Sequence, residues 1–152
     1  MSEYDISKAG AGTKAVWAGE LGELPGGAPQ MPIFFSVTFN YHDVDQWYDV
    51  ALGKQPGHIY SRNTNPTVAY FEEKVRQLDG AEAATSFSTG MAAISNTLFT
   101  FLKPGDRVVS IKDSYGGTSS IFLNFLPPRQ VDVALVETGN HEEMEAEIDK
   151  GC

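Results

Sequence analysis

The feature that most limits the fold is the regular alternation of element types after residue 60. Asn65 can cap a helix that has Pro66 at its first position, and Val68, Phe71, Val75 and Leu78 then recur at three- and four-residue steps until Gly80. Ala83 to Phe87 reads as a buried strand and Met91 to Leu102 as a helix. Pro104-Gly105-Asp106 is a turn into the strongly β-forming Arg107 to Ile111. A helix from about Gly116 to Phe125 is ended by Pro127 and Pro128. Val131 to Val136 makes another strand, and His141 to Lys150 a polar helix with Met144 and Ile148 on one side. Strand–helix alternation of this kind implies an α/β fold, a mainly parallel sheet with helices on both faces. Its ligand site lies beyond the carboxyl ends of the strands.

Residues 1–60 read differently. Gly19, Gly22, Pro25, Gly26, Gly27, Pro29 and Pro32 interrupt every periodic segment, and only Ile33 to Phe39 reads as extended and apolar. An irregular segment this long has no place inside a compact domain, so it is expected to be an arm lying on another surface. Ile33, Phe34, Phe35, Val37, Phe39, Trp47 and Tyr48 form an apolar patch that needs a cover, and their number argues against a disordered tail. The expected organisation is therefore an arm over 1–60 that packs on a neighbouring subunit, followed by an α/β portion over 61–152.

Composition excludes some classes of function. With 41% apolar residues the 152-residue chain suits a globular domain, and a net charge of −9 gives no electrostatic basis for binding nucleic acid or an anionic membrane. The start Met-Ser-Glu-Tyr-Asp has no basic region followed by an apolar stretch, and no apolar run approaches membrane-spanning length; the expected location is the cytoplasm. Cys152 is the only cysteine, so neither a disulfide framework nor a cysteine-based zinc site is available. His42, His58 and His141 lack metal-ligand spacing, and no metal site is expected. Gly10 to Ala15 spells a dinucleotide fingerprint without the strand that must precede it, and the acidic run from Glu142 to Asp149 reads as a solvated helix face.

Three motifs could carry chemistry. Ser88-Thr89-Gly90-Met91 follows the first expected strand and opens a helix, so unpaired backbone N–H groups, the positive end of the helix dipole and the Thr89 hydroxyl converge on one space. Gly90 would let a phosphate approach the backbone. The motif is equally readable as an ordinary strand-to-helix loop with Ser and Thr caps. It is not a nucleophile elbow, because Ser86 stands where Gly-x-Ser-x-Gly needs glycine. Tyr115-Gly116-Gly117-Thr118 follows the next strand; its ring can stack on a flat heterocycle, or sit half-buried in a simple turn. Tyr60-Ser61-Arg62 ends the arm, offering a phenol and a forked guanidinium suited to a phosphate dianion, or merely a solvated arginine before a helix. Asn65-Pro66 is read as helix capping.

In this order, the three motifs resemble those of the pyridoxal-phosphate enzymes of cysteine and methionine metabolism, the trans-sulfuration family, over nearly the whole chain. The resemblance implies the N-terminal part of the large domain of fold type I, the aspartate-aminotransferase-like fold. It further implies pyridoxal 5'-phosphate as cofactor, its phosphate held by Thr89, Gly90 and Met91. Tyr115 would stack on the pyridine and act as the catalytic residue assisting the leaving group. The Tyr60 and Arg62 pair would reach into the neighbouring subunit and bind that subunit's cofactor phosphate, making the site composite and the protein a homo- or hetero-oligomer. The reaction implied is γ- (or β-) elimination or replacement on a sulfur-containing or homoserine-derived amino acid, as in cystathionine γ-synthase, cystathionine γ-lyase or methionine γ-lyase. Gly117 stands where the best-known methionine γ-lyases carry cysteine, which moves weight toward the cystathionine enzymes and acylhomoserine sulfhydrylase. Trp17 stands where the family often has histidine.

The chemistry also needs a lysine for the Schiff base and an acid to pair with the pyridinium nitrogen. None of Lys8, Lys14, Lys54, Lys74, Lys103, Lys112 and Lys150 lies in the Ser-x-Thr-Lys context that the family uses; Lys112, near Tyr115, is the one substitute to consider. The expectation is that a complementary C-terminal chain or segment supplies the lysine and that this chain alone is inactive. The alternative is a non-catalytic truncated relative that assembles with, or inhibits, full-length subunits.

Overall fold

A computed structural model describes residues 5–20 and 24–152. The expectations for the first residues and for Gly22 lie outside the described residues. The chain divides into two compact units, residues 1–86 and 87–152. Among the described residues no helix is long and apolar enough to cross a membrane.

The first unit holds α1 (Ala11–Trp17), α2 (Val44–Ala51) and α3 (Pro66–Asp79). Residues 1–60 are thus not wholly irregular. Gly10 opens α1 without a side-chain cap, whereas Asp43 caps α2 by accepting from the Asp45 N–H. α1 packs on α3, where the Lys74 ammonium donates to the Val16 carbonyl at 2.6 Å and pairs with Glu20 at 2.6 Å. The fingerprint-like letters Gly10 to Ala15 therefore form a helix start with a packing role. α3 begins and ends as its sequence dictates: Asn65 accepts from the Thr67 N–H, Pro66 holds the first position, and Gly80 closes the helix in the left-handed region at φ 65°.

Ala83 to Phe87 is not a strand. Within it the Glu72 carboxylate of α3 accepts from the Ser86 N–H at 2.7 Å and from its hydroxyl at 2.9 Å, and just before it Arg76 donates to the Ala81 carbonyl at 3.0 Å. The described residues offer this segment no neighbouring strand to pair with.

The second unit runs α4 (Gly90–Phe101), β1 (Arg107–Ile111), α5 (Gly116–Ser120), β2 (Asp132–Val136) and α6 (His141–Ile148). α5 continues into a π-helical turn over Ile121–Phe125 and a 3-10 turn over Pro127–Arg129. β1 and β2 pair in parallel, Arg107 opposite Asp132 through Ile111 opposite Val136. Side chains alternate faces along each strand. Val108, Val133 and Leu135 pack with Met91, Leu98 and Leu102 around Ile121, Phe122, Leu126 and Val131, which form the core. On the other face Arg107 pairs with Asp132 at 2.9 Å and with Glu147 of α6, and donates to the Glu147 carbonyl at 2.6 Å. Helices thus cover both faces of a parallel pair, as the alternation requires.

Candidate cofactor-phosphate site

Connectivity places the second unit's two motifs together. α4 spans about 18 Å at 1.5 Å per residue and β1 about 16 Å at 3.3 Å per residue. Joined by the tight turn at Lys103 to Asp106, with Lys103 N–H donating to the Asp106 carboxylate at 2.9 Å, they run back along one another and end level. The N-terminus of α4 therefore stands at the carboxyl end of β1, where Tyr115 leads into α5. Side chains bear this out. The Thr118 hydroxyl lies 3.7 Å from Met91 Sδ, and a Cβ on Gly117 would come 3.0 Å from that sulfur and 3.0 Å from Tyr115 Cε1.

At the α4 end, Thr89 Oγ1 accepts from the Ala92 N–H at 3.0 Å. The N–H groups of Gly90 and Met91 find no acceptor among the described residues, as expected of the first turn of a helix. Thr89 still has its hydroxyl proton to donate, Ser88 is exposed, and a Cβ at Gly90 would touch nothing within 4 Å. This is an open cluster of donors without a carboxylate in it, at the positive end of a twelve-residue helix. Beside it the Tyr115 ring is 75% exposed. Donor set and free aromatic face fit a phosphate attached to a flat ring.

Tyr60 and Arg62 belong to the first unit. Tyr60 is fixed through its backbone, bridged antiparallel to Thr38 and flanked by bonds from the Phe39 N–H to the Ile59 carbonyl at 3.1 Å and from the Ser61 N–H to the Val37 carbonyl at 2.8 Å. The Arg62 guanidinium lies over the Tyr60 ring, 5.0 Å from its centroid. Cation and phenol are thus one prearranged group, and Arg62 makes no ion pair among the described residues. Asn65 does more than cap. Buried at 7% exposure, it donates its amide to the Phe34 carbonyl at 3.1 Å and the Ser61 hydroxyl at 2.9 Å, tying the extended segment to the Tyr60–Arg62 turn. Thr67 adds to this by accepting from the Phe34 N–H at 2.9 Å. No spacing rule in the sequence signals that second role of Asn65.

Lys112 is unsuited to replace the missing lysine. It pairs with Glu137, and the hydrogen bond to that carboxylate raises its pKa, holding it as a charged donor rather than a free amine. Trp17 ends α1 and is partly exposed; the structure does not explain why it replaces histidine.

The family model described as Cys/Met metabolism PLP-dependent enzyme matches residues 12–151. The chain is 38% identical over 146 residues to an L-methionine gamma-lyase of Fusobacterium nucleatum subsp. nucleatum, covering 96% of this chain and 37% of that protein. It is 33% identical to an O-acetyl-L-homoserine sulfhydrylase of Corynebacterium glutamicum, covering 94% and 33%. The crystal structure of metB from Corynebacterium glutamicum superimposes with a TM-score of 0.81 at 31% identity, over 94% of this chain and 35% of that one. The chain spans about a third of the length of the curated relatives it matches. Its architecture is that of the N-terminal part of the large α/β domain of these PLP-dependent enzymes. The chain belongs to the Cys/Met metabolism family of PLP-dependent enzymes.

Proposed function

We propose that this chain is the cofactor-phosphate portion of an enzyme that performs γ- (or β-) elimination or replacement on a sulfur-containing or homoserine-derived amino acid. The observation that carries the proposal is the pairing, on one edge of one compact unit, of an open helix start at Thr89–Met91 with the exposed ring of Tyr115. Thr89, Gly90 and Met91 would hold the phosphate of pyridoxal 5'-phosphate through a hydroxyl and two backbone N–H groups. Tyr115 would cover the pyridine face, and its phenol would move a proton at the leaving atom. When bound, the cofactor supplies an electron sink for the carbanion at the substrate's Cα. Tyr60 and Arg62 would clamp the cofactor phosphate of a neighbouring subunit, with residues 1–60 lying on that subunit. Phe35, 89% exposed, and the outward-facing Ile33 and Val44 supply apolar surface for such a contact. The relatives include both a lyase and a sulfhydrylase, so they support the shared chemistry and leave its outcome to substrate contacts. The anchoring lysine would come from a complementary C-terminal chain or segment.

The test is reconstitution. The chain alone should bind pyridoxal 5'-phosphate without a lysine link that borohydride can fix. Mixed with a complementary chain bearing the Ser-x-Thr-Lys segment, it should gain lyase or sulfhydrylase turnover. A borohydride-fixed adduct mapped to a lysine of this chain would overturn the division of labour. Loss of activity when the chain is added to a full-length relative would favour the inhibitory role instead.

A further inference from the structure

One contact near the Tyr115 ring is not explained by phosphate binding. An ideal Cβ on Gly117 would lie 3.0 Å from Met91 Sδ, 3.3 Å from Met91 Cε and 3.0 Å from Tyr115 Cε1. Sulfur and ring edge therefore both border one empty point, each nearer than a methyl group there would allow. The Thr118 hydroxyl donates to the same sulfur at 3.7 Å. Tyr115 is otherwise 75% exposed, and its hydroxyl has no hydrogen-bond partner among the described residues. An exposed aromatic with two free torsions samples several rotamers, whereas stacking on a flat ligand needs one of them held in advance. Thioethers meet aromatic rings favourably at their edges, and Cε1 is such an edge.

We propose that the Met91 side chain is a positioning residue: its thioether, seated in the notch that Gly117 leaves open and steadied by Thr118, sets the attitude of the Tyr115 ring. This rests on the reading of Tyr115 as the stacking group. Met91 then serves the site twice, its N–H directed to the anion and its sulfur to the ring. Gly117 matters for what it lacks. Any side chain there must push the sulfur or the ring aside.

Two measurements test the proposal. In the chain labelled with 13C-methyl methionine, each of the four methionines contributes one methyl signal. The Met91 signal, identified by its loss in Met91→Leu, should be displaced by the Tyr115 ring current, relax toward the free-methionine position in Tyr115→Leu, and move in Gly117→Ala. Titrations with pyridoxine 5'-phosphate, which cannot link to lysine, and with inorganic phosphate then separate ring from anion. Gly117→Ala should weaken the first by about two- to tenfold and leave the second unchanged, and Met91→Ala should weaken the first more than the second. Met91→Leu keeps the packed volume without sulfur, so it remains usable if the alanine variant fails to fold. A Met91 methyl indifferent to Tyr115→Leu, or equal weakening of both ligands, overturns the proposal. If the wild-type chain binds neither ligand while the methyl displacement is present, the cofactor reading fails and the positioning contact stands.

Discussion

The two compact units are stabilised by different means. Residues 87–152 close around side chains of high local periodicity: Ile121, Phe122, Leu126 and Val131 are buried, and α4, β1 and β2 each contribute apolar neighbours. Residues 1–86 bury little apolar surface among the described residues, chiefly Ala18, Leu24 and Val50, and are held by polar ties instead. Lys74 joins α1 to α3, Glu72 and Arg76 hold residues 81–86, and Asn65 with Thr67 binds the extended segment. An apolar core tolerates change by degrees, whereas a directional tie is present or lost. The proposed phosphate cradle and stacking ring belong to the apolar unit, and the proposed Tyr60–Arg62 clamp to the tied one.

The sharpest way to break this contrast is in the second unit. Leu126, 1% exposed at the centre of its core, should cost about 2–5 kcal/mol when cut to alanine, read as a lowered urea midpoint with loss of the α4 and β1 amide protection. If that variant instead loosens the first unit alone, the division into units is wrong. Asn65→Ala should cost less, about 1–3 kcal/mol, because it removes a cap and takes away the bonds to the Phe34 carbonyl and the Ser61 hydroxyl. Its signature is local. Hydrogen exchange at Phe39 and Ser61 should quicken while the second unit's amides stay protected. Uniform loss of protection would contradict the account of a tied unit.

The smallest effect is pH dependence in the first unit. His58 packs tilted against Phe39 with ring centroids 5.4 Å apart, its backbone bonds to the Tyr41 hydroxyl, and its buried Nδ1 has no partner among the described residues. Burial lowers its pKa from the ordinary 6.5. The folded form therefore keeps the ring neutral while the unfolded chain protonates first, so stability is full above that value and falls as pH drops through it. Glu73, its pKa lowered by the hydrogen bond from Arg76, loses its contribution only below the ordinary 4.5, which leaves a separate window. His58→Gln should flatten the change in protection of Phe39 and Ser61 between about pH 7.5 and about pH 5.5. An unchanged slope would assign it to another group.

The same contrast decides what could be read from the chain directly. α3 was legible because cap, first-turn proline, apolar spacing and terminal glycine all coincide within one short stretch, from Asn65 to Gly80. The α4–β1–α5–β2–α6 order was legible because each element's period matches the face it buries. Ala83 to Phe87 misled because an apolar run says nothing about whether a neighbouring strand exists. α2 did carry a signal: Asp43 followed by Val44, Trp47, Tyr48 and Ala51 at helical spacing. Its apolar side remains outward, with Val44 and Tyr48 exposed, so the pattern looked like a patch rather than a packed helix. At the candidate site the motifs pointed to the Thr89–Met91 cradle and the Tyr115 ring. The second roles of Met91 and Asn65 depend on contacts with Gly117 and Phe34, distant in sequence, and no local pattern encodes them.

The bridge between Thr38 and Tyr60 makes residues 39–59 a loop with a fixed neck. Lengthening such a loop adds only the entropy of closing a longer ring, about 0.6 kcal/mol for each doubling. The excursion containing α2 can therefore vary in length among related chains while the turn presenting Tyr60 and Arg62 keeps its place. For protein engineering, that loop is the insertion point of this unit: a tag or a new recognition segment placed between Leu52 and Gln55 would extend the excursion and leave its neck closed.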